Sequence, residues 1–336
     1  MVTIKDIAKA AGVSVTTVSR ALNGYSDVNE KTRKKISDIA RELNYSPNTL
    51  ARGLVMKRSK SIGIIVSGLT EASRKDNFTL EVLSGVNDVI SERDYDLVLF
   101  STTTTKQREK TYSQLCRERR VDGAILHGIK MDDPYLKEVI DSDIPCVLID
   151  IPIETETVGY VSTDNALGAK KAVQFLIDQG HTNIAMMNGH DRAYVSIKRL
   201  EGYAEALSEA GLPLKKDWIV DGGFSEEKAQ EEAVKLLTQH PDISAIFCAS
   251  DLMALGVMKA AKELDIDIPT ELSVMGYDDI LLASYTHPAL TTVAQNIYQL
   301  GYQSANLLID MLEEKTQSRA CILDTEIAIR ETTGKK

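Results

Sequence analysis

The first two dozen residues constrain this chain most. Thr3-Ile4-Lys5-Asp6-Ile7-Ala8 sets an aspartate three residues after a threonine and starts an apolar pattern at helical spacing, the mark of a capped amphipathic helix. Gly12 supplies the backbone freedom for a tight turn, and Ser14 caps a second short helix through Val15-Thr16-Thr17-Val18-Ser19-Arg20. Asn29 caps a third, in which Ile36, Ile39, Ala40 and Leu43 share one inward stripe. This is the pattern of an all-α helix-turn-helix headpiece over residues 1–45, with its second helix suited to a DNA major groove.

Charge separates this end from the rest. Residues 1–60 carry twelve Lys and Arg against five Asp and Glu, net +7, so the remainder of a chain of net charge −10 carries −17. A basic end on an acidic chain implies a nucleic-acid partner for that end alone, because Lys and Arg contacts to phosphate supply most non-specific affinity.

Residues 46–60 read as a connection. Ser46-Pro47 is a cap followed by proline at the first helical position, and Asn48 to Met56 then has the makings of a short helix, weakened by Gly53. Such a helix is marginal alone and is expected to order only with DNA or a partner subunit.

From Ser61 on, short apolar runs alternate with amphipathic helical patterns. The runs Ile62–Val66, Leu97–Phe100, Gly123–Leu126 and Cys146–Ile149 form one series; Asn183–Met187, Ala245–Ala249 and Leu272–Met275 form a second. Buried parallel strands have this composition, so the expectation is α/β: two doubly wound parallel-sheet subdomains, the first about 61–160 plus 291–322, the second about 161–290 plus 323–336. Polar residues follow the runs: Ser67, Asp150, Ser250-Asp251 and Tyr277-Asp278-Asp279. Ligands of doubly wound sheets bind beyond the carboxyl ends of the strands, so these residues are candidates for one shared cleft. Each alone is equally a turn or a helix cap.

Other classes find little support. The four cysteines, Cys116, Cys146, Cys248 and Cys321, are scattered and read as reduced filler; the five histidines are dispersed, and neither a metal nor a cofactor is expected. No apolar stretch reaches the roughly 18 residues of a membrane span, and a cytoplasmic protein is expected. An enzyme using Asp150 and Asp278 as acid and base is a distant alternative. Neither a G-x-S-x-G elbow nor a phosphate loop is present, and the headpiece would have no purpose.

Over essentially its whole length the chain resembles the lactose/galactose repressor family. The matching stretches include Thr3–Ala8 with Gly12-Val13-Ser14 and Thr17–Arg20, Leu43–Asn48, Asp164-Asn165, Gly180-His181, Arg199–Tyr203, Asp251–Gly256 and Gly276–Asp279. The resemblance implies a homodimeric transcriptional repressor with a periplasmic-binding-protein-like body, bound to a pseudopalindromic operator on double-stranded DNA. Val15, Thr16 and Arg20 take the base-reading positions, and Thr3, Ser14, Thr17, Ser19, Asn23, Asn48 and Ala51 are further DNA contacts. Leu54 matches the family's minor-groove wedge, which kinks a flexible central step, expected as CpG.

Arg199 and Asp278 match the family's effector-binding positions, with Ser67, Asp150, Ser250 and Gln295 at further pocket positions. Phe224 stands where an aromatic stacks on a sugar face. Forked donors and carboxylates suit vicinal hydroxyls, so the expected effector is a small sugar that regulates carbohydrate genes. Asn188–Tyr194 is a polar loop whose His190, Asp191 and Arg192 either touch ligand or are simply solvated.

Two departures stand out. Gly68–Phe78 lacks the family's usual Pro-Asp and Asn-Pro-Phe-Phe pattern, so contacts from it do not transfer. No heptad pattern follows Glu326–Arg330, and a dimer is expected. A purine corepressor or a phosphorylated carrier protein is the alternative signal; for a purine, Phe224 is the one stacking ring the sequence offers.

Overall fold

The computed structural model describes residues 2–22, 25, 27–45, 59–67, 77–102 and 109–336. The chain divides into two compact units, Met1–Lys60 and Ser61–Lys336.

In the first unit, α1 (Ile4–Ala11), α2 (Val15–Leu22) and α3 (Glu30–Glu42) enclose Ile7, Ala11, Val18, Ala21, Ile36 and Ala40. The expected caps are present. Thr3 N and Oγ1 both donate to Asp6 at 2.8 and 2.7 Å, Thr17 N donates to Ser14 Oγ at 3.0 Å, and Thr32 N to Asn29 Oδ1 at 2.9 Å. Gly12 ends α1 at φ 69°, where a side chain would be strained, and Lys35 Nζ donates to the Ala11 carbonyl, one of the acceptors the helix end leaves over. Gly12, Val13 and Ser14 alone connect α1 to α2.

In the second unit the elements run β1 (Ser61–Val66), α4 (Phe78–Glu92), β2 (Asp96–Ser101), α5 (Tyr112–Arg119), β3 (Gly123–His127), α6 (Pro134–Ile140), β4 (Cys146–Ile149), β5 (Val158–Thr163) and α7 (Asn165–Asp178). They continue with β6 (Ile184–Asn188), α8 (Tyr194–Glu209), β7 (Ile219–Asp221), α9 (Glu226–Gln239), β8 (Ala245–Cys248), α10 (Asp251–Glu263), β9 (Ser273–Asp278), β10 (Thr291–Gln295), α11 (Ile297–Leu312), β11 (Ala320–Leu323) and β12 (Thr325–Ala328).

The strands form two six-stranded sheets, ordered β11-β5-β4-β3-β1-β2 and β12-β10-β9-β8-β6-β7. Every pairing is parallel except β10 with β12. In both sheets the order reverses at the first strand, which places a switch point at the carboxyl ends of β1 and β6. Continuous apolar runs fill the strands: Ile62, Ile64, Ile65, Val147, Leu148, Ile246 and Phe247 are all fully buried.

The chain crosses between sheets at Asp164, Asn296 and Asp324. The subdomain boundaries therefore shift from the sequence expectation. β5 continues to Thr163 in the first sheet, and Thr291–Gln295, placed with the first subdomain, pairs with β9 and β12 in the second. Polar residues inside these strands, Ser162, Thr163, Thr291 and Thr292, hide them from an apolar-run reading, yet hydrogen bonds make their burial tolerable.

All four cysteines are free, and burial pushes the thiols of Cys116 and Cys146 up to about 12, consistent with filler. Among the described residues, no helix is long and apolar enough to cross a membrane and no cluster of His, Cys, Asp or Glu is arranged to hold a metal.

Candidate effector cleft and DNA-reading helix

A cleft of about 440 Å³ is lined from both subdomains of the second unit, a volume within the range of small-molecule sites. Ser67 follows β1, Asp150 follows β4, Ser250 follows β8 and Asp278 closes β9, so the carboxyl ends of strands from both sheets converge on it. Arg199 enters from α8 and Phe224 from the loop before α9.

The floor is a connected polar network. Arg199, 3% exposed, donates through Nε to Asn165 Oδ1 at 2.8 Å and through Nη1 to the Ala249 carbonyl at 2.5 Å, with Asp278 Oδ1 at 3.5 Å. Its guanidinium carbon lies 3.6 Å from the centre of the Tyr277 ring. Gln295 Nε2 donates to Asp278 Oδ1 at 2.6 Å, and Gln295 Oε1 accepts from Thr163 Oγ1 at 3.1 Å. On the other side Ser162 Oγ donates to Asp150 Oδ1 at 2.7 Å and receives Asn165 Nδ2 at 3.3 Å. Two carboxylates from opposite subdomains are thus joined through one arginine and residues of two crossovers.

Backbone strain marks the same floor. Asp150 (φ 62°), Phe224 (φ 57°), Asp278 (φ 117°) and Asp279 (φ 58°) occupy the left-handed half of backbone space, which non-glycine residues adopt only where surroundings hold them. For Asp278-Asp279 the holders are visible. Buried Asp251 accepts from Ile280 N at 2.9 Å and Thr292 Oγ1 at 2.5 Å, and Arg330 Nη2 donates to Asp279 Oδ1 at 2.6 Å. Phe224 has room because residue 189 is glycine: a Cβ there would strike the ring.

Protein around the carboxyls disfavours their charge. Desolvation pushes Asp150 up, offset by Ser162, Arg199 and Asn165, and it pushes Asp251 well up, with the neighbouring Asp278 charge adding to the effect. Burial moves His127 the other way, to about 4, and lowers His190 with help from Lys130 and Arg192. Both shifts favour the neutral imidazole.

Of the seven effector positions named from sequence, six line the cleft; Gln295 does not, and stands behind Asp278. Of the uncertain loop, His190 lines the cleft, whereas Asp191 does not and the Arg192 guanidinium sits 3.9 Å from Asp132. Sequence reading missed Phe78, Thr79, His127 and Tyr194, which line it, and Asn165, Thr163 and Ser162 beneath it. His127 was findable, being the first polar residue after the run Gly123–Leu126. The premise that Phe224 is the one available ring is corrected, because Phe78 and Tyr194 face the same space.

In the first unit, Val15 is 41% exposed, Thr3, Ser14 and Thr16 are exposed, and Thr17 and Ser19 half-buried on or beside α2. Arg20 pairs with Asp27 at 2.7 Å and lies 4.8 Å from the Tyr25 ring centre. Asn23, Asn48, Ala51 and Leu54, with the helix expected between 46 and 60, fall outside the described residues or at their margin.

Comparison with known proteins supports the same division. Residues 3–48 match the description "Bacterial regulatory proteins, lacI family" and residues 173–333 match "Periplasmic binding protein-like domain". The chain is 35% identical over its whole length to 99% of the HTH-type transcriptional repressor PurR of Vibrio parahaemolyticus, and 33% identical to 99% of that of Histophilus somni, again across 99% of this chain. Among solved structures it is similar to a lac repressor dimer bound to operator and the anti-inducer ONPF (TM-score 0.84, 27% identity, 99% of each chain covered). It is also similar to a complex of the transcriptional regulator CelR with cellobiose (TM-score 0.77, 30% identity, 99% of this chain and 100% of that one).

Proposed function

Because the chain belongs to the LacI family of DNA-binding transcriptional repressors, we propose that it works in the cytoplasm as a homodimer on a pseudopalindromic operator and that a small sugar in the cleft controls it. The observation that carries the sugar is the pair Asp150 and Asp278, brought from opposite subdomains to one floor with Arg199 between them. Carboxylate acceptors and a forked donor match the alternating hydroxyls of a pyranose, and Phe224 offers a face for its apolar side. Through Asn165, Thr163 and Gln295 the same groups touch two of the crossovers, so a ligand that engages Asp278 or Arg199 acts on the connections between subdomains. In the paired arrangement α2 reads bases with Val15, Thr16 and Arg20, and Leu54 wedges the operator centre.

A purine corepressor is the second reading. It is favoured by Phe78, Tyr194 and Phe224 about the same space and by full-length similarity to repressors named PurR. Thermal melting of the full-length protein against mono- and disaccharides, sugar phosphates and nucleobases separates the two. At one hundred times its dissociation constant the effector adds about 2.7 kcal/mol of stability. A sugar hit abolished by Arg199→Ala supports the first reading, and a nucleobase hit replaces it with the second. Reciprocity is the further check: the effector changes operator affinity by the factor by which operator changes effector affinity.

A further inference from the structure

Tyr277 lies fully buried in β9, one residue before the cleft carboxylate of Asp278. Its ring carries the Arg199 guanidinium, whose carbon is 3.6 Å from the ring centre. Its hydroxyl reaches the place where two crossovers meet. Thr163 stands immediately before the crossover at Asp164, and Thr325 immediately after the one at Asp324. Gly168, in the first turn of α7, makes the room: a Cβ there would lie 2.5 Å from the Tyr277 hydroxyl and 3.0 Å from Thr325 Oγ1.

Packing alone would not select this tyrosine and this glycine. The glycines at 85, 202, 256 and 301 lie against the backbone of a neighbouring helix, where no side chain fits. Gly168 instead faces two side-chain hydroxyls, and a phenylalanine with an alanine would fill the same space with fewer polar atoms and a better helix former. The hydroxyls of Tyr277 and Thr325 are both shielded from solvent, and neither makes a hydrogen bond of ordinary geometry in this arrangement. Thr163 is close enough to Tyr277 to oppose the rise that burial imposes on its phenol. Buried polar groups of native proteins are nearly always paired, so these two point to a partner gained in another arrangement of the subdomains.

The available protons fix how that pairing runs. Gln295 Nε2 donates to Asp278, so Gln295 Oε1 takes the Thr163 proton, at 3.1 Å. Thr163 Oγ1 is then left only to accept, and the Tyr277 hydroxyl is the donor beside it. Having given its single proton, Tyr277 accepts in turn from Thr325. Completed in this way, one line of hydrogen bonds leads from the crossover at Asp324 through Tyr277, Thr163 and Gln295 to Asp278. We propose that Tyr277 is a positioning residue that couples the cleft to the crossovers: its ring orients Arg199, and its hydroxyl closes this line in one arrangement of the subdomains and leaves it open in the other. The inference rests on the reading of this cleft as the effector site. A contact made in only one of two arrangements is what lets a ligand shift their balance.

The test uses the full-length protein, the probes glucose, ribose, maltose, cellobiose, hypoxanthine and guanine, and double-stranded DNA selected by the wild type from random sequence. Titration calorimetry measures the affinity for each probe with and without that DNA, and the ratio of the two is the coupling. Tyr277→Phe keeps the ring under Arg199 and removes the hydroxyl; Thr325→Val removes the hydroxyl at the far end of the line, and Thr325→Ser keeps it. Thr325→Val, remote from the cleft, is expected to bind the probe within about threefold of wild type while its coupling falls below about one third of the wild-type factor. Tyr277→Phe should lose coupling to the same extent, the two changes together should lose no more than either alone, and Thr325→Ser should retain it. A merely structural role would lower the melting temperature and leave the coupling as it was. Gly168→Ala, which drives a methyl onto the hydroxyl, should melt below wild type and recover part of the loss when combined with Tyr277→Phe; no recovery would contradict the placement of the hydroxyl. Coupling within about twofold of wild type in both Tyr277→Phe and Thr325→Val, or fully additive losses, overturns the proposal and leaves the cleft reading in place. A probe that binds the wild type without changing its affinity for DNA overturns it as well, and a set in which no probe binds the wild type removes the cleft reading and this inference together.

Discussion

Gln295 Nε2 donates to Asp278 Oδ1 at 2.6 Å, which ties the strand that leaves the second sheet to the carboxylate at the centre of the cleft. Both side chains are nearly buried, and Gln295 is itself held by Thr163 of the neighbouring crossover.

Removing that tie separates alignment from contact. Gln295→Ala leaves Asp278 with Arg199 but strips one donor and orphans Thr163 Oγ1. Loss of unfolding free energy is expected at about 1–3 kcal/mol, together with weaker effector binding. Denaturant unfolding and titration calorimetry read the two effects; an unchanged affinity would show that Gln295 does not align Asp278.

Arg199 is expected to tolerate replacement least. Arg199→Met leaves buried Asp278 without its cation and removes donors from Asn165 and the Ala249 carbonyl, a loss of about 3–5 kcal/mol. Arg199→Lys should restore little, since an ammonium cannot span both the Asn165 and the Ala249 acceptors as a planar fork does. Near wild-type stability in either variant would refute this account of the floor.

Acid should destabilise the wild type through His127. Its imidazole takes a proton at about 4 in the fold against an ordinary value of 6.5, so between those values the unfolded chain binds more protons. The stability this reflects is complete above the ordinary value and is lost as pH falls toward the lower one, by about 3 kcal/mol at most. Asp150 and Asp251, pushed up by burial, act in the opposite sense at low pH and remain in both proteins compared. His127→Gln should therefore flatten the fall in stability measured from pH 7 to pH 4; parallel curves would exclude His127 as its source.

In the headpiece, capping and reading are separable. Ser14→Ala deprives Thr17 N of its acceptor and should lower headpiece stability by about 1 kcal/mol, seen in amide exchange of α2. Val15 is 41% exposed, so Val15→Ala should leave exchange nearly unchanged and instead alter which operator sequences bind best in a competition assay. Equal effects of the two on exchange would contradict the division.

Local chemistry made much of this legible in one dimension. Caps at Thr3, Ser14 and Asn29, the turn at Gly12 and the apolar runs act over a few residues, and they determined the headpiece and the two α/β subdomains. A polar residue closing a buried parallel strand points to the cleft for a topological reason, which is why Ser67, Asp150, Ser250 and Asp278 were found together. The tertiary structure decided what depends on partners distant along the chain. Asn165 meets Arg199, Thr163 meets Gln295 and Asp251 holds Ile280 only because crossovers bring two sheets to one floor, and β5 and β10 pay for buried hydroxyls with hydrogen bonds that periodicity does not register. Met131 N likewise meets the Arg192 carbonyl across 61 positions of sequence, because hydrogen bonds and burial follow distance in the fold rather than position along the chain.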